Sequence, residues 1–481
     1  MSENNRSREI TTATRWSFLT QLISKVIPPL TSMILVRFLA PEVFGVIATI
    51  TMIISFADTF SEAGFRKYII STKYNNPDDL RHDEDIAFWT NLGITAVTFG
   101  IIACFSTPLC SLLGNPGIET GLIVSCIPLI ISSLTSIEVA AYHRIYSFAK
   151  PFWAQLISTI VNLIVTVSLA LSGLDYWAII VGNIVASSIA AIVLSIGSPW
   201  HPHFYFKFKR AIEILRFSLW IMAEGIAVWL TSWFDSFIVG RRLNSYDLGI
   251  YKNSQSVVNG LLSIPQNSVT NVLLVTLSRQ KDTVKEFNDT FLNAQKTLTY
   301  ILLPMAAGIC IFRKLTVRVV FGVGWEDAEI VIGVWALAAA LRVLFVSINT
   351  PVYVAKGRPR LSLYLQLIDM LFLIPVCIYG IRFGFERFVI LRGIVRLDII
   401  IPSFIVLSKV FGIRFRMIVR NVLKPFIGTV IMSAVGIALH LMKNNMIWDI
   451  MAILVCIVVY IAYMFFFARE DLKAILRIAK R

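Results

Sequence analysis

Residues 37–70 read RFLAPEVFGVIATITMIISFADTFSEAGFRKYII, and a shorter echo at residues 241–250 reads RRLNSYDLGI. Arg37, Leu39, Phe44, Gly45 and Val46 align with Arg241, Leu243, Leu248, Gly249 and Ile250 at one constant offset of 204 residues (241 − 37). Each copy leaves a long apolar segment, turns through Pro or Asn-Ser, passes an acidic residue and begins another apolar segment at a glycine. A second match pairs Gln155-Leu156-Ile157 with Gln366-Leu367-Ile368, each after a basic turn, Lys150-Pro151 and Gly357 to Arg360. Matches at about half the chain length indicate two similar halves. An even number of apolar segments separates the copies, so the halves run parallel.

Composition says what solvent these halves face. Of the 481 residues, 57% are hydrophobic and only 15% charged, with a mean hydropathy of +0.74. A helix needs about 20 apolar residues to cross the hydrocarbon layer, and about fourteen segments meet that length. Their centres fall near residues 27, 55, 98, 130, 163, 187, 226, 263, 300, 341, 372, 398, 433 and 457. The connecting loops are mostly short. The expected fold is therefore an all-α polytopic membrane protein: two six-helix lobes and an extra C-terminal helix pair. We place the first lobe at 1–200, a cytoplasmic linker at 201–215, the second lobe at 216–410, and the helix pair with a basic tail at 411–481.

The net charge of +15 would suggest nucleic acid in a soluble protein. Here Lys and Arg favour the even-numbered loops and the two tails roughly three to one, which is the positive-inside bias. Both termini are expected in the cytoplasm, with the chain in the cell's inner membrane and no nucleic acid as partner. The six Cys lie in or beside apolar segments without a CxxC pair, so neither disulfide nor metal site is expected. His201 and His203 lack an evident third ligand. No cleavable signal precedes the first apolar segment. No G-x-x-x-x-G-K-[ST] loop exists to bind ATP, and no cofactor is expected.

Polar residues within the apolar segments supply the site candidates. In the first segment Ser17, Gln21, Lys25 and Ser32 form a polar stripe beside Pro28-Pro29, a break tolerated where freed carbonyls face protein or a watery cavity. Asp58, Glu62 and Arg66 recur every four residues, on one expected helix face. Gln155, Ser158, Thr159 and Asn162 share one side of the fifth segment, and Glu224, Thr231 and Asp235 one face of the seventh. Glu138, Lys296, Arg342, Asp369, Arg396 and Asp398 also fall within apolar segments. A charge at the bilayer centre costs about 2.5–3.5 kcal/mol on insertion scales, so such groups face the bundle or water. His201 to Ser218, HPHFYFKFKRAIEILRFS, reads as an interfacial linker helix.

Several short motifs now fall into order. They are Arg37 to Gly45, Glu62-Ala63-Gly64-Phe65, Arg216-Phe217-Ser218, Asp235 to Arg241, and Phe321-Gly322 followed by Gly324-Trp325. Together the chain resembles the polysaccharide transporters, the Wzx-type flippases for lipid-linked oligosaccharides (O-antigen flippases among them), within the wider MOP superfamily that includes MATE multidrug exporters. Glu62 stands where the family usually has Asp, and Asn244 to Asp247 replaces a Gly-Pro-Glu type of turn. The resemblance implies lobes around a cavity that opens alternately to either side. It also implies a cargo of undecaprenyl-pyrophosphate carrying a few sugars, for surface polysaccharide (O-antigen, capsule or exopolysaccharide). A polysaccharide polymerase and chain-length machinery are the expected partners besides membrane lipids.

A pyrophosphate and its sugars need a polar, preferably cationic path through hydrocarbon. Lys25, Arg342 and Arg396 are the candidate cations for it, and Gln21, Gln155, Asn162 and Gln366 the candidates for sugar hydroxyls. Asp58, Glu62, Glu224, Asp235 and Asp369 are candidates for coupling transport to a cation. Arg342 has no acid within four residues, so its partner is a distant acid, such as Glu224 or Asp369, or an anionic cargo. Two rivals remain: a cation-coupled multidrug exporter, and a membrane-embedded polymerase. The latter would need an outer catalytic platform, for which no loop is long enough.

Overall fold

The computed structural model describes residues 16, 20, 24, 27–61, 64–72, 74–145, 147–280, 283–358, 360–443, 445–469 and 471, apart from the side chains of Ser61, Phe217, Trp220 and Asn271. Among them regular structure is entirely helical. Two compact units result, residues 1–252 and 253–481.

The first unit contains helical residues 27–35, α1 (Pro41–Ser61), α2 (Phe65–Ser71), α3 (Pro77–Cys104), α4 (Ser106–Leu112), α5 (Glu119–Ser125), α6 (Ile127–Arg144), α7 (Ala149–Leu171), α8 (Asp175–Ser195) and α9 (Phe208–Arg242). A long α10 (Ser245–Arg279) carries the chain into the second unit. There follow α11 (Val284–Ile311), α12 (Arg313–Val320), α13 (Ala328–Phe345), α14 (Thr350–Ala355), α15 (Arg360–Gly380), α16 (Phe385–Val395), α17 (Ile400–Phe411), α18 (Phe415–Met442) and α19 (Met446–Phe467).

Among the described residues, ten helical segments are long and apolar enough to cross a membrane. Of the other four expected centres, the one near 27 lies where residues are described only in part. Those near 226 and 263 fall in α9 and α10, each 35 residues long and about 50 Å at 1.5 Å per residue, but studded with polar groups. That near 398 falls in a turn, Arg396 to Ile399, between α16 and α17. The chain is a multi-pass membrane protein.

Hydrogen bonds define two ends of the first unit. At one end Arg144 donates to the carbonyls of Ile69 and Thr72 at 2.5 and 3.0 Å, and Tyr142 to those of Leu194 and Gly197 at 3.0 and 3.1 Å. Arg210 grips Asp83 through two nitrogens at 2.9 and 2.8 Å, the bidentate geometry that suits a carboxylate. Tyr74 also donates to Asp83, at 2.9 Å; burial and then this acid push its phenol pKa upward. At the other end Asn115 donates to Thr49 Oγ1 at 2.7 Å and accepts from Ser245. Even-numbered loops thus gather at one end and odd-numbered loops at the other.

Two local expectations are corrected. Residues 201–207 are not helical. They are irregular, bending at Phe204 where the Tyr205 N–H meets the His203 carbonyl at 3.0 Å: Tyr205 stacks on His82 with centroids 3.8 Å apart, while Phe204 and Phe206 are 95% and 53% exposed. Helix begins at Phe208 and continues unbroken to Arg242. Nor do Asp58 and Arg66 share one helix face. Gly64 takes φ 85° at the start of α2, a left-handed conformation open to glycine at little cost, and it resets the helix between them.

In the second unit the C-terminal hairpin α18–α19 packs on α11. Tyr460 donates to the Tyr300 carbonyl at 3.0 Å, and Asn421 to that of Leu292 at 2.6 Å. Lys296, within an apolar segment, pairs with Asp471, which also accepts from Tyr300 at 2.8 Å. An apolar cavity of about 430 Å³ lies against this hairpin, lined by Met305, Phe312, Met432 and Ile453 among others.

Candidate functional site

A large polar cavity belongs to the first unit. It measures about 550 Å³ and lies among residues 28–35, α1, α7 and α8. Buried Ala154 and Ala170 on α7, with Ala178 and Ala186 on α8, let these two helices run close along their length. Polar groups then project beside the small ones at helical spacing. Gln155 donates to Thr159 at 3.2 Å. Asn162 donates to Asn183 at 2.8 Å and accepts from Thr166 at 3.4 Å. Ser158 and Ser187 complete the wall. No ionised side chain lines the cavity among the described residues. Its surface offers hydroxyls and carboxamides, which both donate and accept, as sugar hydroxyls do.

A second cavity of the same unit, about 440 Å³, is charged. Asp58, Lys67 and Glu224 line it with Ser55, Trp229 and Trp233. The Trp229 indole donates to the Met52 carbonyl at 3.1 Å and Ser55 Oγ at 3.0 Å. Lys252 lies 3.7 Å from the Trp233 ring centre, a cation–π contact.

In the second unit the candidates form a network of their own. Arg342 pairs with Asp369 at 2.7 Å, and the Asp369 side chain is 2% exposed. Thus the distant partner of Arg342 is an acid of the same unit. Arg396 lies 4.1 Å from the Trp335 ring centre and Arg392 5.7 Å, while the Trp335 indole donates to Asn259 at 3.2 Å. Asp398 lies in the turn between α16 and α17, and both its carboxylate oxygens are buried. Gln366 is half-buried on α15.

The sequence candidates therefore separate. Gln155 and Asn162 share the neutral cavity, and Asp58 and Glu224 the charged one. Asp235, 2% exposed, accepts from Tyr251 at 2.9 Å and from its neighbour Ser236 at 2.7 Å. Glu138 accepts from Ser195 at 3.0 Å. Gln21, Lys25 and Glu62 lie outside the described residues. Sequence reasoning missed Asn183 and Ser187, although their spacing of four in an apolar helix is the same signal that exposed Gln155 and Thr159. Trp229, Trp233 and Trp335 carried no such signal, because aromatic residues in apolar helices normally serve packing.

Known proteins agree with this architecture. The chain aligns with the lipid II flippase MurJ in an inward closed conformation at a TM-score of 0.77, with 14% identity over 95% of this chain and 99% of that one. An inward-facing MATE multidrug transporter of the MOP superfamily aligns at 0.61, with 12% identity over 83% and 98%. In sequence it is 25% identical to the succinoglycan biosynthesis transport protein ExoT of Rhizobium meliloti (strain 1021), over 71% of this chain and 68% of the relative. It is 21% identical to the lipopolysaccharide biosynthesis protein WzxC of Escherichia coli (strain K12), over 88% and 87%. A family model described as polysaccharide biosynthesis protein matches residues 34–330, and the chain belongs to that family.

Proposed function

We propose that this chain is a flippase for lipid-linked oligosaccharides in surface polysaccharide synthesis. The observation that carries it is the neutral polar cavity holding Gln155, Asn162 and Asn183, a surface suited to sugar hydroxyls inside a chain otherwise built for hydrocarbon. The transport role follows the matched relatives, and it sets the chain apart from a polymerase. Undecaprenyl pyrophosphate is the proposed carrier, its prenyl chain remaining in the bilayer while the head crosses. The proposed setting is the inner membrane, both termini cytoplasmic, with a polymerase acting on the exported unit.

A second element of the proposal is cation coupling through the cavity of Asp58 and Glu224. Two carboxylates facing one polar space beside Lys67 are groups whose protonation or cation binding can bias two conformations. Arg342 and Asp369 are proposed to serve the second unit's structure. Deleting the gene is expected to lower surface polymer while the lipid-linked precursor persists on the cytoplasmic leaflet. Normal polymer in a strain without a second exporter would refute the proposal.

A further inference from the structure

Three consecutive acids begin the buried face of α3. Asp83, Glu84 and Asp85 are 4%, 4% and 3% exposed. Asp83 is held by Arg210 and Tyr74. Asp85 accepts the backbone N–H of His203 at 3.1 Å, with the His203 imidazole at 3.9 Å. Glu84 has neither a hydrogen bond nor an ion pair among the described residues. Its side chain instead forms part of the wall of a cavity of about 510 Å³.

The rest of that wall has a definite chemistry. Arg81, Arg144, His201 and His203 line it together with Trp200. Trp200 is 4% exposed, and its indole N–H finds no acceptor among the described residues. Arg144 already donates to the Ile69 and Thr72 carbonyls, whereas Arg81, His201 and His203 are exposed. A buried carboxylate without a hydrogen bond is costly and calls for a donor or a cation. The cavity thus holds a buried carboxyl with no hydrogen bond among the described residues, within reach of the Arg144 and Arg81 charges, with Arg81 exposed at its edge. It lies among helix ends, where headgroups sit, at the end that the basic-residue bias assigns to the cytoplasm. Ile145, 60% exposed on the rim, offers apolar surface beside it.

The complement of such a wall is a small ammonium with several N–H donors, a short tether, and a phosphate. We propose that this cavity binds the ethanolamine-phosphate head of an aminophospholipid from the cytoplasmic leaflet, with the ammonium at Glu84 and the phosphate toward Arg81. Choline carries no N–H for Glu84, and glycerol carries no cation, so both fit less well. The site is separate from the cavity assigned to the cargo.

The test uses the purified full-length chain in detergent. Native mass spectrometry would follow retention of dioleoyl phosphatidylethanolamine, phosphatidylcholine and phosphatidylglycerol at matched concentrations, with O-phosphoethanolamine as the soluble probe. The ethanolamine lipid should be retained about fivefold over either of the others. Glu84→Gln should abolish that preference and leave phosphatidylglycerol retention unchanged, while Arg81→Ala should lower retention of both phosphatidylethanolamine and phosphatidylglycerol. Arg81 is exposed, so its variant decides the matter even if Glu84→Gln does not fold. Equal retention of ethanolamine and choline lipids by the parent chain overturns the proposal, as does unchanged retention in the Arg81 variant. Binding of O-phosphoethanolamine without the lipid overturns it too, because the ligand would then be soluble.

Discussion

Gly45 packs its bare α-carbon on the backbone carbonyl of Ser245, and Gly249 does the same to Pro41. Ser245 stands to Pro41 as Gly249 stands to Gly45, 204 residues on (245 − 41). The two copies of the repeated turn therefore meet reciprocally, as the two sides of an isologous interface do. A Cβ at either glycine would overlap a backbone oxygen, which cannot swing aside like a side-chain tip. The glycine recurs in both copies because both approaches are equally close.

Gly45→Ala and Gly249→Ala are each expected to part the two turns. Overpacking costs typically about 1–3 kcal/mol, enough to open a local contact while the helices survive. In a background without native cysteines, Ser245→Cys should react several-fold faster with a membrane-impermeant thiol reagent once either alanine is present. Export is expected to fall in the same variants. Unchanged labelling and export would show that the turns do not need their close approach.

The separation of odd-numbered from even-numbered loops in the first unit yields a topology prediction. Gly173 belongs to the loop between α7 and α8, and Lys207 immediately precedes α9. Activity reporters fused at the two positions should lie on opposite sides of the membrane, periplasmic after Gly173 and cytoplasmic at Lys207. Both on one side would contradict the helix count between them.

What could be read from the sequence was whatever leaves a periodic or repeated trace. The turn at Arg37 to Gly45 disclosed the repeat because both copies need a glycine facing backbone. Gln155 and Asn162 stood out because carboxamides are expensive in an apolar helix. Partners remote in sequence were not legible in this way. That Arg342 meets Asp369 rather than Glu224, and that Glu84 alone among three acids has no hydrogen bond among the described residues, depends on which helices adjoin. The linker misled because its aromatic and basic residues suit an interfacial helix equally well as an irregular segment laid on helix ends. Only the stacking of Tyr205 on His82 separates the two.

The Arg342–Asp369 pair makes a prediction about folding. Removing one member of a buried ion pair typically costs about 3–5 kcal/mol, because the other charge stays behind unpaired. Arg342→Ala and Asp369→Ala should each lower the amount of folded protein in the membrane. The double variant should recover much of that loss, as neither charge remains, and Arg342→Lys should be milder than Arg342→Ala. Normal amounts of the single variants, with export lost, would instead assign Arg342 to the cargo.

The neutral cavity gives the most direct test of cargo recognition. Asn162 donates to the Asn183 side-chain oxygen at 2.8 Å, and Thr166 donates to that of Asn162 at 3.4 Å, so the two carboxamides are held in place before any sugar arrives. A site built to hydrogen-bond hydroxyl groups loses them when its carboxamides become hydrocarbon. Asn162→Leu and Asn183→Leu keep the branched skeleton and suit an apolar helix, so membrane levels should remain normal. Export should fall about tenfold for each, the equivalent of roughly 1.4 kcal/mol, and the double variant should lose less than the two effects combined because the residues share a bond. Asn162→Gln keeps the chemistry and should retain more export than Asn162→Leu. The measurement is surface polymer per cell against lipid-linked precursor, at matched protein levels. Full export in both leucine variants would remove this cavity from the cargo's path.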